Sequence, residues 1–348
     1  VDPVGFGVIG CSSIARRRFI PALRRSPHRL VAVASRSAER AAAFGAEFGA
    51  DAVTGYEALL RRDDVEAVYV SVPTGLHRRW AEAALRAGKH VLVEKPLATS
   101  PEDAEAVFAA AGGLVVAENR MFAEHPQHAE VAALVAGGAI GELRVVTAGM
   151  AVPPLPPSDV RHRADLGGGA LLDVGYYPLH AALLFDDFSA VAAVSRAGSG
   201  VDTEGTALLL APSGATAQVV YGFRHGYRSF YELWGSRGRI VLERAFTPPE
   251  DFAPVLRLER QEGVELRTLP AADQFRLALE RFARFVRGTA DPAPHRERTL
   301  RGLALLARVR ELGGQARLDY SAGASSASVA VRVAPGGPAG VHAEPSRV

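Results

Sequence analysis

A chain of 348 residues exceeds the usual size of one core, so two domains are expected, and 48% hydrophobic residues suffice to bury both. A formal net charge of +2 gives no reason to expect nucleic acid or an acidic membrane as partner, and pI 8.8 suits an anionic small ligand better. A lone cysteine, Cys11, excludes a disulfide framework and a thiolate metal site and suits a cytoplasmic protein; no apolar run is long enough to predict a membrane span.

Residues 4 to 118 alternate short β-branched runs with longer amphipathic segments, a pattern that requires crossover helices and therefore a parallel, doubly wound sheet. Strands are expected over 5–9, 30–34, 67–72, 90–93 and 114–117, and helices over 13–25, 38–48, 76–87 and 101–111. The first turn, Gly10-Cys11-Ser12-Ser13-Ile14-Ala15, fits the dinucleotide fingerprint G-x-G-x-x-G/A with Ser12 for the second glycine. Gly10 allows the tight turn, Ser12 is small enough for a pyrophosphate to approach, and Ala15 lets the helix pack on the strand. Ser13 and Ile14 open the helix, where unpaired N–H groups favour phosphate. Arg16, Arg17 and Arg18 are phosphate ligands or a solvated face, and at least two of them read as the latter.

The second strand ends in Ser35-Arg36. About 20 residues past the fingerprint an NAD enzyme carries an acid for the ribose 2′-hydroxyl. A hydroxyl and a guanidinium suit a 2′-phosphate instead, so the expected cofactor is NADPH. Arg40, one turn on, is a second phosphate ligand or a surface cation. Pro73 stops the third run, and Thr74 caps the helix holding His77; this loop either completes the cap or touches the nicotinamide ribose. The next strand runs into Glu94-Lys95-Pro96. Of 40 Lys+Arg residues only Lys89 and Lys95 are lysines, which points to a need for a compact ammonium at this strand end; a surface pair with Glu94 is the ordinary alternative. Glu118-Asn119-Arg120 follows the last strand, and Asn119, the only asparagine, can donate and accept at once.

Beyond residue 122 the pattern changes. A helix is expected over 125–136, then strands over 143–150, 191–196, 206–210, 216–223, 227–234, 239–243 and 255–258, joined by tight turns into an antiparallel sheet. Before most of these strands, Gly167-Gly168-Gly169 opens a helix that puts Asp173 and Tyr177 at i and i+4 on one face. Either a core tyrosine is held by Asp173, or an acid is oriented by a carboxylate. The proline-rich run 152–157 reads as a lid or subunit-contact arm. Arg161, His162 and Arg163 beyond it receive an anionic substrate group or are merely solvated. Amphipathic helices are expected over 271–286 and 298–312, and the aperiodic residues 321–348 read as a disordered tail.

On Gly10 to Ala15, Val72-Pro73-Thr74 with His77, Glu94-Lys95-Pro96, and Gly168-Gly169 through Asp173-Val174-Gly175, the chain resembles the Gfo/Idh/MocA oxidoreductases over nearly all of residues 4 to 318. The resemblance implies an α/β fold with an N-terminal doubly wound Rossmann domain (1–122) for NADP. It implies a C-terminal α/β domain (123–320) with an open, mostly antiparallel sheet for substrate and oligomer contacts, its final helix free to pack back on the first domain. It also implies that Lys95 lies near the reacting carbon. Many members have histidine where Tyr177 stands. Tyrosine there, with Glu118 to Phe122, His125-Pro126-Gln127-His128 and Phe246 to Pro249, is similar to the nucleotide-sugar 3-ketoreductases of deoxysugar biosynthesis. That subgroup reduces the C3 ketone of a dTDP-linked 3-keto-6-deoxyhexose with NADPH.

An NADPH-dependent ketosugar reductase is therefore expected, with Tyr177 giving the proton and Lys95 polarising the ketone, or the reverse, and Asp173 orienting one of them. Free tyrosine and lysine titrate at about 10, so one of the two is expected to be tuned downward. Glu94, Lys95 and Asn119 are expected beside the cofactor, and His128, Arg161, Arg163, Asp173 and Tyr177 beside the substrate. A dehydrogenase of free sugars or polyols and a non-catalytic NADP(H) sensor are the alternatives. The expected form is a cytoplasmic homodimer or homotetramer with no metal site.

Overall fold

The computed structural model describes residues 2–198 and 200–315; the tail expected over 321–348 lies outside them. Six parallel strands form the first sheet: β1 (Gly5–Ile9), β2 (Arg29–Ser35), β3 (Asp51–Thr54), β4 (Ala67–Val70), β5 (His90–Glu94) and β6 (Val116–Asn119). Their spatial order is β3-β2-β1-β4-β5-β6. Every residue of β1 and β4 is buried, as an apolar run demands when helices cover both faces of a sheet. The helices are α1 (Ile20–Arg24), α2 (Ala38–Phe48), α3 (Tyr56–Leu60), α4 (His77–Arg86) and α5 (Pro101–Ala109). Ser37 and Ser100 cap α2 and α5, their hydroxyls accepting from the N–H of Arg40 and Asp103. The winding reverses between β1 and β4, so a crevice opens beyond the carboxyl ends of the strands.

Two elements here are additional to the sequence-based set, β3 and α3. β3 is an edge strand of exposed and half-buried residues, so it lacks the apolar run that marks its neighbours. The first helix also departs from a regular one, since Ala15–Phe19 form a π turn that leads into α1.

The second half begins with α6 (Pro126–Ala136) and builds an eight-stranded sheet of β7 (Leu143–Ala151), β8 (Ser189–Gly198), β9 (Val201–Leu210), β10 (Thr216–Gly222), β11 (Arg228–Gly235), β12 (Gly238–Glu243), β13 (Val255–Arg260) and β14 (Gly263–Thr268). The order is β14-β13-β12-β11-β7-β10-β9-β8, antiparallel throughout except that β7 and β10 pair in parallel. β14 is the strand missing from the sequence-based set. Its apolar residues point away from the core, Val264 and Leu266 being 58% and 66% exposed.

The helix α7 (Tyr176–Ala182) packs under β7 and β10. Of the last two helices, α8 (Gln274–Val286) returns to the first half beside α1 and β6, and α9 (Ala293–Gln315) packs mainly on β8 of the second sheet while also reaching α5 and β6. Phe282 of α8 meets Phe6 of β1 at 5.9 Å between ring centroids, and Arg287 donates to the Pro3 carbonyl at 2.8 Å. His295 of α9 bonds the Glu118 carbonyl at 3.0 Å. The two sheets therefore share one wall of helices, and the crevice lies between them.

Candidate active site

A cavity of about 1120 Å³ runs along that crevice. Its first wall is the turn after β1. Gly10 has φ +97°, and a Cβ there would lie 3.0 Å from the Ser71 carbonyl oxygen, so only glycine makes the turn without strain. The Ser71 hydroxyl donates to the Gly10 carbonyl at 2.9 Å, and the Ser12 hydroxyl accepts from the Ala15 N–H at 3.1 Å. Ser12, Ser13 and Ile14 line the cavity, with Ser35, Arg36 and Arg40 beyond them and Pro73 and Thr74 opposite. A glycine turn at a helix start, with a hydroxyl and two guanidiniums next along the wall, fits a dinucleotide carrying an extra phosphate.

The second wall holds the chemistry. β5 delivers Lys95 at its carboxyl end, where the Lys95–Pro96 peptide is cis. The Lys95 ammonium donates to the Asp173 carboxylate at 2.9 Å and to the Asp173 backbone carbonyl at 2.9 Å. That carbonyl is available for a local reason. Leu171–Gly175 form a π turn, in which a carbonyl seeks the N–H five residues on, and five residues past Asp173 stands Pro178, which has none. The other Asp173 oxygen accepts from Arg161 Nε at 2.6 Å, and Arg161 is itself held by Asp159. Lys95, Asp173 and Arg161 thus form a chain from the strand end to the loop over the cavity.

Tyr177 lies on the cavity, 5% exposed, with Lys95 Nζ 4.8 Å from its ring centroid. Its ring stacks on Phe246 at 5.7 Å and meets Phe122 edge-on, also at 5.7 Å, so its rotamer is fixed by packing. Burial pushes its phenol up to about 12, with Asp173 and Glu94 adding to the rise and Lys95 opposing it. Burial also works against the Lys95 ammonium, but Asp173, Tyr177 and Glu94 outweigh that penalty and hold lysine above its ordinary value. For Asp173 burial is again the adverse cause, and Lys95 and Arg161 overcome it, bringing the carboxyl down to about 2. Neither proton-transfer candidate is tuned downward, contrary to the sequence-based expectation. The reasons are burial for Tyr177 and the Asp173 carboxylate for Lys95, neither of which a motif displays.

Behind Lys95 the polar groups face the core. Glu94 accepts from the Tyr69 hydroxyl at 2.5 Å, the Asn119 amide at 2.6 Å and the Lys95 N–H at 3.2 Å. Glu118 accepts from the Tyr176 hydroxyl at 2.6 Å and the Leu97 N–H at 2.9 Å. Burial raises the carboxyls of both Glu94 and Glu118 above the ordinary range.

Several expected contacts need correcting. Asn119 does not reach the cavity; it supports Glu94. Ala15 is fully buried beneath the turn, so its part is packing and not contact with a cofactor. His77 is a cross-brace: its ring nitrogens lie 2.8 Å from the carbonyl oxygens of Pro96 and Val72, leaving neither for a ribose. His128 is a core group bonded to the Tyr231 hydroxyl at 3.0 Å and lies off the cavity. Arg163 is exposed, paired with Asp165 at 2.6 Å and outside the cavity. Arg161 lines the cavity, with its Nε held by Asp173 and its Nη1 by Asp159.

The structure adds cavity residues that sequence reasoning left out, notably Met121, Met150, Tyr227, Phe275 and, among the three doubtful arginines, Arg17. It also shows the loop after the proline-rich run crossing to the first half of the chain. Gly167 has φ +72°, and a Cβ there would lie 2.6 Å from the Gly75 nitrogen, so the two backbones touch where a side chain would part them.

Residues 4–119 match the model of the oxidoreductase family with an NAD-binding Rossmann fold, and residues 128–241 match that of the GFO/IDH/MocA C-terminal domain. The chain is 47% identical over 316 residues to a dTDP-3,4-didehydro-2,6-dideoxy-alpha-D-glucose 3-reductase of Actinomadura kijaniata, covering 89% of this chain and 95% of that one. It is 49% identical over 295 residues to the enzyme of the same name from Streptomyces violaceoruber, covering 82% and 86%. Among solved structures it resembles a 3-ketoreductase from Actinomadura kijaniata in complex with NADP and TDP-benzene, with TM-score 0.87, 46% identity and coverage of 89% and 98%. With two family models covering most of the described chain and a doubly wound sheet joined to an open, mostly antiparallel one, the protein belongs to the Gfo/Idh/MocA family of oxidoreductases.

Proposed function

We propose that this protein reduces the C3 ketone of a dTDP-linked 3-keto-6-deoxyhexose, such as a 3,4-diketo-2,6-dideoxyglucose, with NADPH, in deoxysugar biosynthesis. One observation carries the reading: Lys95 and Tyr177 meet on the same cavity as the fingerprint turn and the Ser35-Arg36 pair. The names of the relatives at 47% and 49% identity support the substrate class. The 2′-phosphate is expected at Ser35, Arg36 and Arg40, and the diphosphate at Gly10, Ser12, Ser13 and Ile14. Pro73 and Thr74 are expected at the nicotinamide ribose, while Glu94 lines the same cavity with its carboxylate already spent on Tyr69, Asn119 and the Lys95 N–H.

Bound NADPH supplies a hydride to the ketone carbon. The chain's own residues handle the oxygen. Tyr177 carries its proton at neutral pH and gives it to the developing alkoxide, while Lys95, charged throughout, stabilises the oxygen's negative charge and the phenolate left behind. Asp173 and Arg161 hold Lys95 in place without discharging it.

A cytoplasmic location follows from the supply of NADPH. Val191, Val194, Leu208, Val220, Trp234 and Leu266 leave an apolar face on the second sheet that a second copy would cover in a homodimer or homotetramer. The test is to follow nicotinamide absorbance with NADPH and a panel of dTDP-linked ketosugars, then with NADP and free polyols. Turnover of the ketosugars supports the reading. Turnover of polyols alone makes the protein a dehydrogenase, and no change with any substrate makes it a sensor.

A further inference from the structure

A nucleotide-linked sugar brings its own diphosphate and base, and both need partners that the cofactor does not occupy. The cations lining the cavity, among the described residues, are Arg17, Arg36, Arg40, Lys95 and Arg161, with His77 sealed between two carbonyls. Arg36 and Arg40 stand at the end of β2, the cofactor's 2′-phosphate side. Lys95 and Arg161 are both bound to Asp173. Arg17 remains. It is exposed and has no carboxylate partner among the described residues; its one hydrogen bond is a long one, Nε to the Ser13 carbonyl at 3.4 Å. Its neighbour Arg16 is by contrast tied to Glu47 at 3.0 Å, away from the cavity.

The local fold sets Arg17 on the side of its helix from which Arg25 reaches the second half of the chain. Arg25, eight residues on, bonds Asp273 at 2.8 Å and also Glu250, so this helix lies along the segment that carries Thr247 and Phe275. The π turn at Ala15–Phe19 absorbs one residue of that spacing, which brings Arg17 and Arg25 onto nearly one stripe. Thr247 and Phe275 both line the cavity. Tyr227 joins them, 47% exposed, its hydroxyl 3.4 Å from the Thr247 hydroxyl. A half-exposed aromatic ring at a cavity wall is a stacking platform for a base, and an unpaired guanidinium nearby is a fork for a diphosphate.

Resting on the reading above, we propose that Arg17 and Tyr227 form the nucleoside-diphosphate subsite of the substrate, with Arg17 on the diphosphate and Tyr227 against the pyrimidine. The sugar then reaches Lys95 and Tyr177 from the side opposite the cofactor. Arg161 and Arg163 take no part in phosphate binding.

The probe is dTDP alone, titrated calorimetrically into the 348-residue chain saturated with NADP, with NADPH affinity measured separately on each variant. Arg17→Ala is expected to weaken dTDP by at least about tenfold, as loss of a charge-assisted hydrogen bond does. Tyr227→Ala is expected to weaken it by about fivefold or more, with Tyr227→Phe restoring the wild-type value. NADPH affinity should stay within about twofold of wild type in all three, and because NADPH binds only the folded protein it serves as the control for folding. Unchanged dTDP affinity in both alanine variants overturns the subsite. So does a loss of NADPH affinity as large as the loss for dTDP, which would give Arg17 to the cofactor. Failure of the wild-type protein to bind dTDP at all is a different result: it removes the nucleotide-sugar reading, and the subsite with it.

Discussion

Lys95 stands between two carboxyl groups, the half-buried Asp173 and the buried Glu94, that its environment treats in opposite ways. On the cavity side Asp173 is brought down to about 2 despite burial, because the ammonium of Lys95 and the guanidinium of Arg161 both touch it. On the core side Glu94 is raised, burial outweighing the hydroxyl of Tyr69, the amide of Asn119 and the more distant Lys95 charge. Two direct cations decide the first case, and neutral donors leave desolvation to decide the second. Lys95 gives its ammonium to Asp173 and only its backbone N–H to Glu94. The cavity side therefore fixes a charge where the reaction needs one, whereas the core side fixes the strand that delivers it.

Substitutions on the two sides should separate these parts. The largest loss is expected for Lys95→Ala, which removes the charge at the developing oxygen and should lower kcat/KM on the order of 10³ in the ketosugar assay. Asp173→Asn keeps the shape and the backbone carbonyl that also accepts from Lys95 but removes the charge that holds the ammonium; a displaced catalytic group costs about 10² in kcat. Arg161→Ala should cost about tenfold or less, because Arg161 is 43% exposed, and it has a distinct signature. Asp173 loses one of its two cations, its pKa rises from about 2 towards the ordinary value, and the acid limb of the kcat profile moves to higher pH. A profile that keeps its acid limb in Arg161→Ala would show that Lys95 alone ionises Asp173. The smallest effect belongs to the core side. Glu94→Gln still accepts from Tyr69, so kcat/KM should stay within about threefold, while one misdirected amide N–H near the Lys95 N–H costs on the order of 1 kcal/mol and lowers Tm by a few degrees. A collapse of activity in Glu94→Gln would erase the distinction between the two sides.

What the sequence displayed and what it hid follow from contact distance along the chain. Lys95 was legible because a lysine in an arginine-rich chain sits at a strand end, and Asp173 with Tyr177 because helical spacing alone sets them side by side. The fingerprint was legible because a tight turn needs Gly10 whatever else surrounds it. Partners were not. The Lys95–Asp173 bond spans 78 residues and the Glu118–Tyr176 bond spans 58, so no local pattern points from one to the other. His77, His128 and Asn119 drew attention as polar residues near motifs, and each is a buried brace, a distinction that depends on tertiary packing. Arg17 was one of three consecutive arginines, and its place on the cavity wall without a carboxylate partner, which depends on the tertiary fold, singles it out. β3 and β14 escaped because these two edge strands, unlike the edge strand β6, carry no buried apolar run.

The central claim is that Tyr177 delivers its proton as a neutral phenol while Lys95 remains charged. The most direct test mixes the NADPH complex of the wild-type protein with a saturating dTDP-linked 3-ketosugar in a stopped-flow instrument and records the single-turnover rate between pH 6.5 and 9. A rate that is flat across that range is expected, since a phenol pushed up to about 12 and a lysine held above its ordinary value titrate well outside it. A fall governed by a group titrating between 7 and 8 would mean that the donor is tuned downward after all, and would contradict the roles assigned to both residues.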